Sequence, residues 1–196
     1  MDQLHRMSGA RAASAILAAS VAVAGCGGSD VNAALKPPPG FSVYRGPHAE
    51  LAYPATWRLQ PPRPDSLGSG QVVEIDGITG VGARPPQVIL GETAKYFGSF
   101  QDALQANELD SSLRLAQRTI LARRPVTLPG GRDARITESQ YLDPGKPGTG
   151  PPVAVHTFDL VALGPGHLAV NLFARVPAND PQLGQISTLM GSLRLR

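Results

Sequence analysis

The chain has 196 residues, of which 42% are hydrophobic and 17% are charged, the balance of one globular domain with an extension. Its 19 prolines and 22 glycines exclude a coiled coil or a helical bundle, because each such residue costs a helix interior about 1 to 3 kcal/mol. The net charge of +3, spread along the chain, is too small for the dense basic face that binds a nucleic-acid backbone. We therefore expect no nucleic-acid partner.

The N-terminal segment has the organisation of an export signal. Basic residues are followed by an uncharged stretch, residues 12–24, which has about the length of a signal-peptide core and is shorter than the roughly 20 residues that span a bilayer. The stretch runs into Val23-Ala24-Gly25-Cys26, the pattern of a bacterial lipobox, with two small residues before the cysteine. We expect residues 1–25 to be a signal peptide that is removed by cleavage before Cys26.

Cys26 is the only cysteine of the chain and is the predicted lipidation site. A lone cysteine is often a buried free thiol, but the polar and glycine-rich Cys26-Gly27-Gly28-Ser29-Asp30 offers no apolar core to enter. A diacylglyceryl group on the thiol, with its two acyl chains, is sufficient for stable membrane anchoring. The prediction is an extracytoplasmic protein held by its lipid at the outer face of the cell membrane.

A tether separates this anchor from the domain. Residues 26–40 lack apolar periodicity and end in Pro37-Pro38-Pro39-Gly40, which favours an extended and semi-rigid conformation. From residue 41 onward, short apolar runs alternate with glycine and proline. The predicted folded domain is therefore 41–196.

The domain is predicted to be rich in strands. Ser99 and Asp102 form a short capping box for one central helix, which should end near Asp110. Asp180 and Pro181 predict the start of a C-terminal helix that reaches Ser192. The predicted strands are 41–45, 49–53, 57–59, 71–76, 87–90, 113–121, 126–128, 132–142, 153–163 and 167–176, with a proline- and glycine-rich loop at 143–152.

The last hairpin indicates how the sheet is covered. Phe158, Leu160 and Ala162 share one face of their strand, while Val153, Val155 and Val161 share the other. Apolar residues on both faces are typical of a central strand with material packed on each side. The fold class predicted is α+β, an antiparallel sheet of six to eight strands covered by helices.

Four segments carry a family resemblance: Tyr53-Pro54-Ala55-Thr56-Trp57, the capped helix 99–104, the turn 126–134, and Gly191-Ser192-Leu193-Arg194 at the end. In this order they resemble the actinobacterial lipoproteins of the LpqN type, which are similar to the wider PsbP-like group. The resemblance implies an antiparallel sheet between helices. It also implies an accessory or protein-binding module rather than an enzyme.

No catalytic or metal-binding motif stands out. The G-x-S-x-G turn that presents a nucleophilic serine does not occur. Ser139, His156 and Asp159 could meet on adjacent strands, but His156 has the parity of Phe158, which favours a histidine in or beside the core. We therefore predict no catalytic, cofactor-binding or metal site, and no cofactor.

One aromatic residue and one acidic pair are interpreted as structural. Trp57 is the only tryptophan and is predicted to close one edge of the core; the alternative is an aromatic wall of a cleft. Glu74 and Asp76 should share one solvated face of a strand.

Three functions remain open on the sequence. The leading hypothesis is a non-enzymatic binding or accessory lipoprotein of the cell envelope, with the membrane and an envelope protein or lipid as partners. The alternatives are a serine hydrolase of envelope esters that uses Ser139 or Ser99 and a lipid-carrying protein, which needs a cavity of several hundred Å³.

Overall fold

The computed structural model describes residues 34–64, 70–78, 85–115, 117–145 and 151–196. The helices and strands within these ranges are β1 (Phe41–Arg45), β2 (Ala49–Pro54), β3 (Arg58–Leu59), β4 (Arg63–Pro64), β5 (Gly70–Asp76), β6 (Gln87–Thr93), α1 (Phe100–Arg114), β7 (Thr119–Pro125), β8 (Asp133–Asp143), β9 (Val153–Gly164), β10 (Leu168–Pro177), α2 (Leu183–Ser192) and β11 (Arg194–Leu195).

The described strands form two antiparallel sheets. The large sheet has eight strands in the order β3-β5-β6-β10-β9-β8-β7, with β4 also paired to β5. The small sheet has three strands in the order β1-β2-β11. The α+β class and the antiparallel sheet predicted from the sequence are confirmed.

The main hydrophobic core lies between one face of the large sheet and the small sheet with α2. Leu172 on β10 stands opposite Leu160 on β9 and Leu90 on β6, and all three side chains are almost fully buried. From the other side, Leu51 of β2 and Ile186 of α2 complete this layer and are fully buried as well. The core is therefore built around the centre of β10.

Trp57 closes the edge of this core, as predicted. Its ring is buried, and its Nε1–H donates a hydrogen bond to Oε1 of Gln182 at 2.9 Å. Gln182 in turn donates from its backbone N–H to Oδ1 of Asp180 at 2.8 Å. The polar end of the indole is thus satisfied inside the protein, which is the usual condition for burying a tryptophan.

The opposite face of the large sheet is covered by α1 only in part. Strand β9 is buried on both faces from Thr157 to Gly164, whereas β6 and β10 alternate between buried and half-exposed residues. The prediction that residues 153–163 form a central strand is confirmed. Helix α1 therefore lies over β9 and leaves its neighbours on one side half-covered.

Helix α1 begins as predicted and ends later. The hydroxyl of Ser99 accepts the backbone N–H of Asp102 at 3.1 Å, and the Asp102 carboxylate accepts the backbone N–H of Ser99 at 2.8 Å. The helix continues to Arg114, so the strand predicted for 113–121 is wrong at its start and begins only at Thr119. The alternation of Leu-Arg-Leu imitates a strand, but Arg114 pairs with Asp110 one turn earlier at 2.8 Å, as in a helix.

Two further boundary predictions are wrong. Residues 126–128 are not a strand, because β7 ends at Pro125 and a second proline follows at 129. Helix α2 begins at Leu183 and not directly after Asp180. The Asp180 side chain caps a turn before the helix instead of the helix itself.

Residues 146–150 of the predicted loop 143–152 lie outside the described residues. The two strands that flank the loop, β8 and β9, pair as far as Asp143 and Val153.

The end of the predicted tether contacts the domain. Leu35 is buried, and its backbone N–H donates to Oε2 of Glu50 on β2 at 3.0 Å. The other carboxylate oxygen of Glu50 pairs with Arg45, at 3.2 Å, and with the C-terminal residue Arg196. The start and the end of the described chain therefore meet at one buried carboxylate.

Neither α1 nor α2 has the length and hydrophobicity of a membrane span, nor does any other helix in the described part of the chain.

Candidate functional site

The residues of the hypothetical catalytic triad do not come together. Ser139 and Asp159 lie on the face of the large sheet toward α1, whereas His156 lies on the opposite face. The His156 ring stacks on Phe158 with 4.8 Å between centroids, and its Nε2 is 2.8 Å from Oε1 of Glu138. The prediction of a histidine beside the core is confirmed, and His156 is too remote from Ser139 to act on its hydroxyl.

The two candidate nucleophiles are held by other contacts. Ser139 is fully buried, and its Oγ lies 2.6 Å from Oγ1 of Thr157 and accepts a hydrogen bond from Nε of Arg118 at 2.9 Å. Ser99 is exposed and its hydroxyl donates to the Asp102 carboxylate at 2.7 Å. Both hydroxyls therefore have structural partners.

Asp159 is the centre of a buried polar cluster. It lies in the middle of β9 with 2% of its surface exposed. Its Oδ2 accepts hydrogen bonds from Nδ2 of Asn107 at 2.7 Å and from the hydroxyl of Ser111 at 2.9 Å, both on α1. Its Oδ1 accepts from Nδ2 of Asn171 on β10 at 2.9 Å, and the same amide also donates to Oδ1 of Asn107 at 2.7 Å. One carboxylate thus ties α1 to β9 and β10.

A cationic branch extends this cluster towards β7. The Arg118 guanidinium is almost completely buried, and its Nη1 donates to Oε1 of Glu108 at 3.2 Å. Arg123 reaches the same Glu108 oxygen from the outside, also at 3.2 Å. Because buried charges are costly without partners, this arrangement balances Arg118 against one acid on α1 and the nearby Asp159.

Burial dominates the protonation of Asp159. Desolvation raises the pKa of its carboxyl above the ordinary value of 3.8. The hydrogen bonds from Asn107, Asn171 and Ser111, together with the charge of Arg118, act in the opposite direction and offset the effect only in part. The folded protein therefore binds a proton at Asp159 more tightly than the unfolded chain does.

This linkage gives a pH-dependent prediction. Because the folded-state pKa is raised, the contribution of Asp159 to stability is greatest at low pH and falls as the pH rises from about 3.8 through the folded-state pKa. Asp159→Asn removes this ionisation, so the stability of the wild type relative to the variant should decline as the pH increases. Urea unfolding of both proteins between pH 4 and 8 measures the difference, with Asp110→Asn, which changes an exposed carboxylate of α1, as the control. A difference that stays constant or grows with pH contradicts the account.

A cleft lies beside this cluster. It has a volume of about 100 Å³ and opens between the C-terminal half of α1 and strands β6, β9 and β10. Its polar lining comes from the Asp159 cluster, and its apolar lining includes Ile89, Leu115 and Phe173. The pair Asp110 and Arg114 stands at its helical wall. Helix α1 is thus held differently at its two ends, since its N-terminal half packs through the apolar side chains Ala103 and Leu104.

The remaining predictions from the sequence concern an acidic pair, metal binding and Cys26. Glu74 and Asp76 share the face of the large sheet toward α1, as predicted: Glu74 pairs with Arg63, and Asp76 accepts hydrogen bonds from two glutamines, Gln60 at 2.7 Å and Gln87 at 3.2 Å. Within the described ranges, no three His, Cys, Asp or Glu side chains are grouped so that they could hold a metal ion. Cys26 lies outside the described residues, and its lipidation stays a prediction.

The Asp159 cluster is the site that the sequence analysis missed. Its signal was an aspartate within the otherwise apolar Phe158-Asp159-Leu160-Val161, since an acid in a strand that is buried on both faces needs partners. The partners themselves come from α1 and β10, 52 and 12 residues away in sequence. Local patterns do not indicate such pairs.

Comparison with known proteins supports the fold. No protein-family model and no curated protein matches the chain. Among solved structures, a Pseudomonas aeruginosa protein of unknown function is similar over 80% of this chain and 97% of its own, with a TM-score of 0.51 and 14% identity. LpqN of Mycobacterium tuberculosis, involved in cell envelope biogenesis, is similar over 79% of this chain and 90% of its own, with a TM-score of 0.50 and 18% identity. The chain has an LpqN-like fold.

Proposed function

We propose that the chain is a lipid-anchored extracytoplasmic protein that acts as a non-enzymatic binding or accessory module of the cell envelope. The observation that carries this proposal is the lipobox Val23-Ala24-Gly25-Cys26, followed by a short proline-rich segment and one folded domain. The role of LpqN in cell envelope biogenesis supports the same setting. Kinship with the PsbP-like group is part of the proposal.

The proposal divides the chain into a signal peptide at 1–25, a lipidated tether at 26–40 and a binding domain at 41–196. Leu35, near the end of this tether, is held on the domain by its hydrogen bond to Glu50. From Cys26 to Leu35 the chain can span at most about 30 Å when fully extended. The domain is therefore held close to the lipid, with the small sheet on the side where the tether enters.

The contacts of the two candidate serines support a binding role over hydrolysis. A catalytic serine needs a base within hydrogen-bonding reach and an open approach for the substrate. Ser139 has neither, because it is fully buried between Thr157 and Arg118. The Ser99 hydroxyl caps the first turn of α1.

Labelling with a fluorophosphonate probe distinguishes the two functions. The proposal predicts no specific labelling of the purified domain. The controls are Ser139→Ala and Ser99→Ala, together with heat-denatured wild type. Labelling of the folded wild type that is lost in either serine variant would replace the proposal with the hydrolase alternative.

The cleft beside α1, in the described part of the chain, is small for a bound lipid. Pockets that enclose a drug-sized ligand measure about 300 to 1,000 Å³. The cleft has about 100 Å³ and is lined in part by the buried polar groups of the Asp159 cluster. It is a better fit for a side chain of a partner than for an acyl chain.

Replacing the lipidation site tests the anchor. Cys26→Ala should move the protein from the membrane fraction to the soluble fraction or leave it as an uncleaved precursor, because the diacylglyceryl group would have no thiol to modify. Fractionation followed by immunoblotting measures both outcomes. Ser29→Ala in the same segment is the control and should behave as the wild type. Normal mature size and full membrane retention of Cys26→Ala would show that the lipoprotein assignment is wrong.

A further inference from the structure

Part of the large sheet has no helix or strand of the described chain over it. On the face toward α1, the side chains of Val72, Ile89 and Phe173 are half-exposed, whereas the alternate residues of the same strands are buried in the main core. Cross-strand pairing places them on one side of β5, β6 and β10. We call this surface the trough: its floor is the apolar Val72, Ile89, Gly91 and Phe173, with the polar Glu74 and Asn171 in the same cross-strand rows, and one wall is the C-terminal half of α1.

The width of the trough matches one helix. Neighbouring strands lie about 4.8 Å apart, so the three strands that form the floor give a width of about 10 to 14 Å. An α-helix with its side chains is about 10 to 12 Å across. Helix α1 already occupies the adjacent position over β9, and a second helix beside it would complete the layer that usually covers such a sheet.

Gly91 leaves space at the centre of the floor, because it has no side chain. A side chain at Gly91 would meet only the backbone oxygen of Asn171, at 3.9 Å, and otherwise open space. A glycine in the middle of a strand weakens the strand, and it commonly marks a place where another molecule approaches closely. Space for an incoming apolar side chain is therefore present without any rearrangement.

The charges around the trough favour an acidic partner. Arg58 and Arg175 lie in one cross-strand row on this face with Asp76 and Gln87 between them, and in the described part of the chain neither arginine forms an ion pair with a carboxylate. Among the nearby carboxylates, Glu74 pairs with Arg63 and Asp110 pairs with Arg114. Asp76 accepts hydrogen bonds from two neutral glutamines and keeps its negative charge in the strand position opposite Arg58. The row therefore has two arginines and one carboxylate, an excess of one positive charge beside the apolar part of the floor.

We propose that the trough binds an amphipathic helix of a partner protein, with its apolar side chains on Ile89, Gly91 and Phe173 and its acidic residues against Arg58 and Arg175. This inference rests on the proposed binding function and names the surface and the kind of partner. Helix-in-groove recognition of this type uses apolar anchors at helical spacing. The cleft beside Asp110 and Arg114 then receives the edge of the bound helix.

Site-specific photocrosslinking tests the location. The full chain is made in cells with benzoyl-phenylalanine in place of Ile89, or in place of Ser187 on the exposed side of α2 as the control. The proposal predicts an adduct at the trough position whose crosslinked peptide has apolar residues at helical spacing and acidic flanks. Adducts with lipid only, with a second copy of this chain only, or no adduct at the trough position overturn it.

Binding of a synthetic peptide tests the chemistry. The crosslinked segment, prepared as a peptide, should bind the wild-type domain, and Arg175→Glu should weaken its binding about tenfold or more by placing like charges together. Arg132→Glu, on an exposed turn away from the trough, is the matched control. Equal binding by wild type and Arg175→Glu, with unchanged melting curves, overturns the proposal.

Two different results would refute the trough as the binding surface and the binding function of the domain. Protein adducts at the Ser187 position but none at the Ile89 position would refute the trough and leave a binding module elsewhere on the domain. Serine-dependent labelling by the fluorophosphonate probe would refute the binding function itself.

Discussion

Gly130→Ala should destabilise the domain by about 3 kcal/mol or more, since overpacking typically costs 1 to 3 kcal/mol and the left-handed backbone adds to this cost. Gly130 has φ +77°, and a Cβ at this position would collide with the backbone carbonyl oxygen of Leu195. The C-terminal strand cannot easily withdraw, because the backbone N–H of Leu195 donates to the carbonyl of Pro129 at 2.9 Å. The free energy of unfolding from urea titration measures the loss.

Gly166→Ala is the matched control for this effect. Gly166 also has a positive φ, +63°, but nothing lies within 4 Å of where its Cβ would be. Its substitution should cost only the backbone strain, about 1 kcal/mol. Equal losses in the two variants would show that β11 moves aside at no cost and that the contact with Leu195 is not structural.

Leu172→Ala should destabilise the domain by about 2 to 5 kcal/mol, the usual cost of emptying a buried leucine site. Leu172 is fully buried where β6, β9 and β10 meet, and the surrounding sheets and α2 leave little freedom to collapse around a cavity. Thermal or urea unfolding measures the change. Leu113 on α1 is 78% exposed, and Leu113→Ala is the control, which should change stability by less than about 0.5 kcal/mol.

The last hairpin offers a second comparison with the same measurement. Phe158→Ala should also fall in the range for core truncation, about 3 to 5 kcal/mol. His156→Gln should cost much less, because the His156 side chain is partly exposed at the edge of the core. The reverse order would mean that His156 and not Phe158 is the structural member of the stacked pair.

The sequence predicts best where the signal is local and repeated. Alternating apolar residues located most strands, and the apolar residues on both faces of 153–163 identified β9 as a central strand. The capping box of Ser99 and Asp102 depends on a spacing of three residues and is confirmed with both hydrogen bonds present. These features are visible without any knowledge of the tertiary structure.

Features that depend on distant residues were not predictable. Helix α1 extends to Arg114 in part because Ser111 reaches the buried carboxylate of Asp159, 48 residues away. Leu35 belongs to a segment that reads as a linker, yet it is fixed by Glu50. In both cases the deciding contact is a buried carboxylate whose hydrogen-bonding partners come from elsewhere in the chain.

The Asp159 cluster gives the open face of the sheet its shape. By holding the C-terminal half of α1 over β9 through Asn107 and Ser111, it fixes the wall of the trough while β6 and β10 stay half-exposed. Apolar side chains hold the other half of the helix. The polar attachment therefore positions the proposed binding surface without taking part in chemistry.

The most direct test of the lipid-anchored binding module is the mass of the N-terminal peptide of the mature protein, isolated from membranes and measured by mass spectrometry. This peptide is expected to begin at Cys26 and to carry a diacylglyceryl group on its thiol. A mature N-terminus upstream of Cys26, or a Cys26 with a free thiol in the membrane-bound protein, would contradict it.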